Sequence, residues 1–475
     1  MTAAGEAVTA DPRRWRILGV TLAVGFMSLL DVTIVNVAIP SMRAGLDTTA
    51  ATIQWVVSGY SLAFGLMLVT GGRLGDAWGR KRLMLIGLSG FIVASLAAGL
   101  APDAMWLIVA RLVQGASAGL LAPQNTGLIQ QLFRGAERGR AFGMFGFTVA
   151  VSSGLGPIIG GLILAVAGED GWRWIFLVNV PIGLIALVAI ARLVPGRAEA
   201  SDDDPRLDLV GALLLGAAVL CLLLPIVSLE SGHRGTLLLL VGVPVLLWAF
   251  TRWERRLVDR GGAPLLDVGL LRRVPGYANG VLVGSLYFTG FTGIFLVLSV
   301  HLQDALGLSP LQAGLLLTPF AAGAAVASPR AGRLVSTVGR KLTVIALTVM
   351  MSGVLAIVLL APQADNGLPL WLLLSVPLLV AGIGGGGVIS PNFTLALAEV
   401  DPRMGGAAGA ALQTGNRIGA SIGAALLITV YQLGLSTGDA TLAVQLALGT
   451  ALLVLSLSWV AAYRSWRLDR AADSR

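Results

Sequence analysis

The chain has 475 residues, of which 56% are hydrophobic and 12% charged, about half the roughly 25% charge of a soluble domain, so it reads as a polytopic membrane protein. Its formal charge of +8 lies in short loops between apolar runs, which favours a topology signal and lipid headgroup contact over nucleic-acid binding. One cysteine, Cys221, and two histidines, His233 and His301, exclude an internal disulfide and a His/Cys metal cluster and leave almost nothing for nucleophilic catalysis, so neither an enzyme nor a cofactor is expected.

Apolar windows of roughly 20 residues predict about 14 spanning helices. They begin near Ile17, Ile53, Leu83, Met105, Ala141, Ile175, Leu207, Thr236, Tyr277, Leu311, Leu342, Leu368, Ala407 and Thr441. The first is too long for a signal-peptide core and contains an acid, so it is not a cleaved leader. Placing the N-terminus in the cytoplasm puts Arg80, Lys81, Arg82, Arg134, Arg138, Arg140, Arg197, Arg206, Arg333, Lys341, Arg403 and Arg475 on one side. The other loops carry only Arg43, Arg173 and Arg234. This asymmetry predicts that both termini are cytoplasmic.

In the first span, Asp31 lies about 14 residues beyond Ile17, or roughly 21 Å along a helix, past the middle of a ~30 Å core. A charge near that depth costs roughly 2.5–3.5 kcal/mol or more, so Asp31 should face other helices or a wet cavity. Its ability to titrate favours a place on a transport path; a structural acid bonded to a neighbouring helix is the alternative. Asn36 and Thr33 occupy a different face from Asp31. In the second span Gln54, Ser58, Ser61 and Gly65 form a small-polar stripe, with Trp55 and Tyr60 near the outer interface or its cavity. Arg111 opens the fourth span with Gln114 three residues on; it either snorkels to the interface or meets an anion.

Gly154, Gly156, Pro157, Gly160 and Gly161 concentrate small residues and a helix breaker in the fifth span, and Gly156 with Gly160 makes a GxxxG pair. These residues should pack helices closely first and gate second. In the thirteenth span Gln413, Arg417 and Ser421 share one face, with Asn416 beside them. Three roles are open for Arg417: contact with substrate, balance of Asp31, or internal packing.

The chain also repeats. GGRLGDAWGRKR (71–82) after the second span returns as AGRLVSTVGRK (331–341) after the tenth. GLLAP (119–123) returns as GVISP (387–391), and RGRAFG (138–143) as RMGGAAG (403–409). Spans one to six therefore repeat as nine to fourteen, giving six-helix halves over 1–195 and 276–475 with two inserted helices in 196–275. Such halves suggest a transporter whose path runs between them. Only the first loop copy has an acid, Asp76, where the second has Ser336; Asp76 is suited to meet a helix N-terminus or an arginine across the interface.

GGRLGDAWGRKR, RLVQGASAG (111–119), SSGLGPIIGG (152–161) and LDVTIVNVAIP (30–40) together resemble the signatures of the major facilitator superfamily, in its 14-spanning drug:proton antiporter branch. HLQDALGLSPLQAGLLLTP and NRIGASIG are similar too, so the resemblance covers nearly the whole chain. Ser152 and His301 depart from it, standing where Gly and Tyr are usual. The resemblance implies an all-α major facilitator fold. It further implies a conformational lock at Gly72, Asp76, Gly79, Arg80 and Lys81, proton coupling through Arg111 with Asp31, and a fifth-span antiporter motif.

The expected function is proton-coupled export of amphipathic or hydrophobic compounds from the inner membrane. The path would include Asp31, Asn36, Gln54, Ser58, Gln413 and Arg417; the partners would be substrate, protons and lipids, with the chain acting as a monomer. An importer or symporter of a polar solute is the rival on the same fold. A receptor or membrane enzyme would need a soluble domain that the hydrophilic gaps are too short to supply.

Overall fold

Backbone in hydrocarbon must satisfy its own hydrogen bonds, and a long apolar run does so as helix. The computed structural model describes residues 11–196, 208–230, 234–262, 264–266, 269–363 and 369–473. The helices are α1 (Arg14–Gly45), α2 (Ala50–Trp78), α3 (Arg80–Gly99), α4 (Ala104–Leu132), α5 (Gly135–Ala167), α6 (Gly171–Leu177) and α7 (Asn179–Leu193). They continue with α8 (Leu209–Glu230), α9 (Gly242–Asp259), α10 (Leu270–Arg273), α11 (Pro275–Val300), α12 (Pro310–Val338), α13 (Lys341–Leu360), α14 (Leu370–Ala396), α15 (Gly405–Leu435) and α16 (Ala440–Asp473). No strand occurs among the described residues. Arg197, Arg206, Leu207, His233, Leu368 and Arg475 lie outside them.

Thirteen described helical runs are long and apolar enough to cross a membrane, against the roughly 14 expected from hydropathy. The sixth run joins α6 and α7 across Gly171–Leu193. The difference falls in the inserted pair, where Leu209–Pro225 of α8 counts among the shorter apolar helices.

Local chemistry sets the ends. Asp103 Oδ1 accepts from the backbone of Trp106 at 2.8 Å to start α4, and Ser309 with Gln312 forms a capping box on α12. Gly79 and Gly339, the matching glycines of the repeated loop, end α2 and α12 with φ of 93° and 62°, a region that side chains disfavour. Large apolar side chains remain exposed around the outside, among them Val93, Leu162, Val166 and Leu453. That surface suits lipid.

The repeat is visible in the packing. In the N-terminal bundle α1 packs on α5, α2 on α4, and α3 on α4. In the C-terminal bundle α11 packs on α15, α12 on α14, and α13 on α14. Further contacts join the bundles in pairs related by the repeat: α2 with α15 and α12 with α5, and α4 with α15 and α14 with α5. Inserted helix α8 lies along α2, where Leu223 faces Gly65. The ends of α2, α4, α12 and α14 meet the starts of α5 and α15 at one end of the molecule. This basic end carries Arg80, Lys81, Arg138 and Arg403.

Candidate functional site

Asp31 is enclosed inside the N-terminal bundle and only 1% exposed. Its carboxylate forms an ion pair with Arg111 Nη1 from α4. Gln114 Nε2 donates to Asp31 Oδ1 at 3.1 Å, and Asn179 Nδ2 of α7 donates to the same oxygen at 2.9 Å. Gln114 Nε2 also donates to Ser95 Oγ on α3 at 2.7 Å. Arg111 donates to the Val56 carbonyl on α2 at 3.0 Å and to Gln114 Oε1 at 2.7 Å. Its guanidinium lies 4.2 Å from the Tyr60 ring centre. Each of these hydrogen bonds to Asp31 is donated to it, so both carboxylate oxygens have partners. A buried pair stripped of one partner loses about 3–5 kcal/mol, so this network holds α1, α2, α4 and α7 in one arrangement.

Arg111 therefore does not snorkel: it is 1% exposed and bonds to Asp31, Gln114 and the Val56 carbonyl. Asp31 meets neighbouring helices rather than open space. Sequence alone does not single out Asn179; its one signal is an amide inside the apolar run FLVNVPIGL.

The second constellation lies at the basic end. Asp76 Oδ1 accepts from Arg80 Nη2 at 2.8 Å and from the Gly406 amide at 3.1 Å, while Oδ2 accepts from the Ala407 amide at 2.8 Å. These amides belong to the first turn of α15, whose N–H groups lack helical partners and carry the positive end of the helix dipole. Arg80 Nη2 also donates to the Pro402 carbonyl at 3.1 Å. Gly72 faces α15 so closely that an added Cβ would stand 2.6 Å from the Gly406 oxygen. Gln130 Nε2 adds a bond to the Leu397 carbonyl at 2.7 Å. Gly79 ends the helix that carries Asp76, and Lys81 sits half-buried beside Arg80 without joining this set of bonds.

The fifth-span glycines divide between two faces. Gly156 and Gly160, one turn apart, receive Thr33 and Ile34 of α1 within the N-terminal bundle. Gly154, Pro157 and Gly161 face Ala321, Gly314 and Leu311 of α12 in the other bundle. One helix thus offers a small-residue surface to each side.

Of the remaining path candidates, Asn36 is exposed, Ser58 buried, and Gln54, Gln413 and Arg417 half-buried. Arg417 is not the counter-ion of Asp31. Its guanidinium lies 4.4 Å from the ring centre of Phe64 on α2, and Phe64 stacks on Tyr60 with centroids 6.2 Å apart. The rings therefore separate Arg417 from the Asp31–Arg111 pair. His301, a departure from the resembled pattern, opens a π-helical turn and bonds the Tyr431 hydroxyl at 3.2 Å. Among the described residues no group of three or more His, Cys, Asp or Glu is placed to hold a metal.

A family model described as Major Facilitator Superfamily matches residues 21–424. The chain is 40% identical over 452 residues to the "Probable actinorhodin transporter" of Streptomyces coelicolor, covering 93% of this chain and 76% of that protein. It is 37% identical over 474 residues to the "Puromycin resistance protein pur8" of Streptomyces alboniger, covering 95% and 92%. It is 34% identical to the "Methylenomycin A resistance protein" of Streptomyces coelicolor, covering 96% and 92%. The fold matches a crystal structure of the human organic anion transporter MFSD10 with a TM-score of 0.70, over 95% of this chain and 100% of that one, at 17% identity. At that identity the likeness concerns the fold alone. The family match over most of the chain and these relatives make this protein a member of the Major Facilitator Superfamily, a multi-pass membrane transporter of small molecules and not an enzyme.

Proposed function

We propose that this transporter exports amphipathic or hydrophobic small molecules, either antibiotics or the cell's own metabolites, in exchange for protons across the bacterial inner membrane. Relatives named for antibiotic resistance and export support the direction and substrate class. The basic end is cytoplasmic in this reading, as are both termini. The moving bodies are residues 1–195 and 276–475, with 196–275 as the insertion; the chain works as a monomer bathed in lipid.

The observation that carries the proton step is the buried Asp31–Arg111 pair. A proton delivered to Asp31 from outside removes the charge that holds Arg111. Arg111 also binds the Val56 carbonyl and lies over Tyr60, so its release alters how α2 packs. The far end of α2 carries Asp76 and the bonds to α15. Protonation at one site thereby biases whether the basic end stays shut. One charge moved inward across 100 mV yields about 2.3 kcal/mol, so no nucleotide is needed.

The test is export from energised vesicles by wild type and Asp31→Asn, with and without a protonophore. Loss of gradient-driven export in the variant is expected. Full coupling in Asp31→Asn sinks the assignment of the proton site. Uptake of a polar solute driven by the same gradient would instead favour symport.

A further inference from the structure

The buried cations of the N-terminal bundle have their opposites: Arg111 has Asp31 and Arg80 has Asp76. Arg417 differs. It is half-buried on α15, where that helix faces α2, and among the described residues it makes no ion pair or hydrogen bond. Its guanidinium rests on the face of Phe64, which offers an aromatic cloud but no acceptor. A guanidinium at membrane depth without an anion is costly, and a single ring face offsets only part of that cost.

One turn earlier on the same face stands Gln413, whose Nε2 is buried without a partner. Arg417 and Gln413, one turn apart on the same face of α15, thus both carry N–H donors without an acceptor, and Arg417 sets its own at the contact with α2. Asn416, with its own unpartnered oxygen, is turned instead toward Gly284 of α11. A guanidinium beside an amide N–H pair, next to a ring face, matches an oxygen anion attached to an aromatic system.

We propose that Arg417 and Gln413 form the recognition site for an anionic oxygen group (a carboxylate, phenolate or enolate) on an aromatic substrate that packs beside Phe64. Calling the ligand a substrate rests on the export reading; the binding chemistry does not. Arg417 repels cationic compounds by the same logic, so the site also selects against them. An inside-negative potential expels the anion while drawing in the proton, and both movements favour export.

The probes are naphthoate and its uncharged isostere naphthamide, measured by equilibrium binding to the full chain in lipid nanodiscs at fixed pH with no gradient. Wild type is expected to bind naphthoate at least about tenfold more tightly, in keeping with a charged hydrogen bond in a desolvated site. Arg417→Gln should bring the two affinities together, Arg417→Lys should keep most of the preference, and Gln413→Leu should reduce it several-fold. Equal affinities in wild type, no saturable naphthoate binding, or an unchanged preference in Arg417→Gln would overturn the proposal. If Arg417→Gln does not fold, Arg417→Lys and Gln413→Leu decide it: an unchanged preference in Gln413→Leu, or none in Arg417→Lys, counts against. A naphthoate preference with transport indifferent to the proton gradient would refute antiport and leave this site standing; the reverse pattern would refute the site alone.

Discussion

Among the contacts that join the bundles, the seam of α2 with α15 and the seam of α5 with α12 are equivalents under the internal repeat. Both are built by glycine approaching backbone. An added Cβ at Gly72 would stand 2.7 Å from the Ala410 Cβ, and one at Gly332 would stand 2.7 Å from the Gly143 Cα. Their chemistry then diverges. Asp76 caps α15 through two amides, whereas Ser336, its counterpart, is exposed and bonds back to the Arg333 carbonyl of its own helix at 3.3 Å. Arg80 reaches the Pro402 carbonyl in the other bundle, while Arg340 turns away to Asp469 on α16. The α5–α12 seam runs on from Gly139 to Gly161. The contacts of α2 with α15 extend from Gly72 to Phe64. Symmetric packing thus carries asymmetric electrostatics: one seam is held by shape and a neutral hydrogen bond from the Ser328 hydroxyl to the Gly143 carbonyl at 3.2 Å, the other also by bonds that a charge change can release.

The largest test of this contrast is at the shape-held seam. Gly332→Val forces a side chain into the backbone of α5 and should cost about 3 kcal/mol or more, read as lost folded yield and lower thermal stability in detergent. A fully stable variant would show that the seam has slack. Next comes the charged seam. Asp76→Asn keeps the side-chain shape but loses the ionic part of the bonds to Arg80 and the α15 amides, about 2 kcal/mol. Labelling of a cysteine introduced at Gln130 should rise at least tenfold, while the melting temperature moves little. Unchanged labelling would mean that the glycine contacts alone keep that end shut.

Smaller effects are expected where the second copy makes no bond across the seam. Arg340→Ala removes a partly exposed ion pair within the C-terminal bundle and should cost at most about 1 kcal/mol by chemical denaturation. Ser336→Asp restores the acid of the first copy without supplying bonds across the seam. It should leave export within about twofold of wild type and change stability by less than about 0.5 kcal/mol. A strong effect of Ser336→Asp on export would show that the two seams are electrically interchangeable after all.

Much of this architecture is readable along the chain. The apolar windows locate the helices, the repeat pairs the halves, and Gly79 with Gly339 marks the two turns that need positive φ. Asp31 and Arg111 stand out because charge in an apolar run is costly. Their pairing does not, since 80 residues separate them and other acids and bases could be matched. Asn179 is hidden for the same reason: an amide in a span has many possible neighbours. The glycines of α5 are visible as a cluster, but not that alternate ones serve α1 and α12. Arg417 is legible as part of a polar face with several roles open; only its distance to Phe64 and the unpartnered Gln413 amide narrow them.

The high cost of exposing polar groups to lipid writes the helices, their approximate ends, the repeated halves and the few charges that need an explanation into the amino-acid order. Which of those charges meet is settled in three dimensions. Helix periodicity relates residues three or four apart, whereas ion pairs and seams depend on how whole helices are rotated against each other. That rotation is set by many small packing contacts at once, and no local pattern records it.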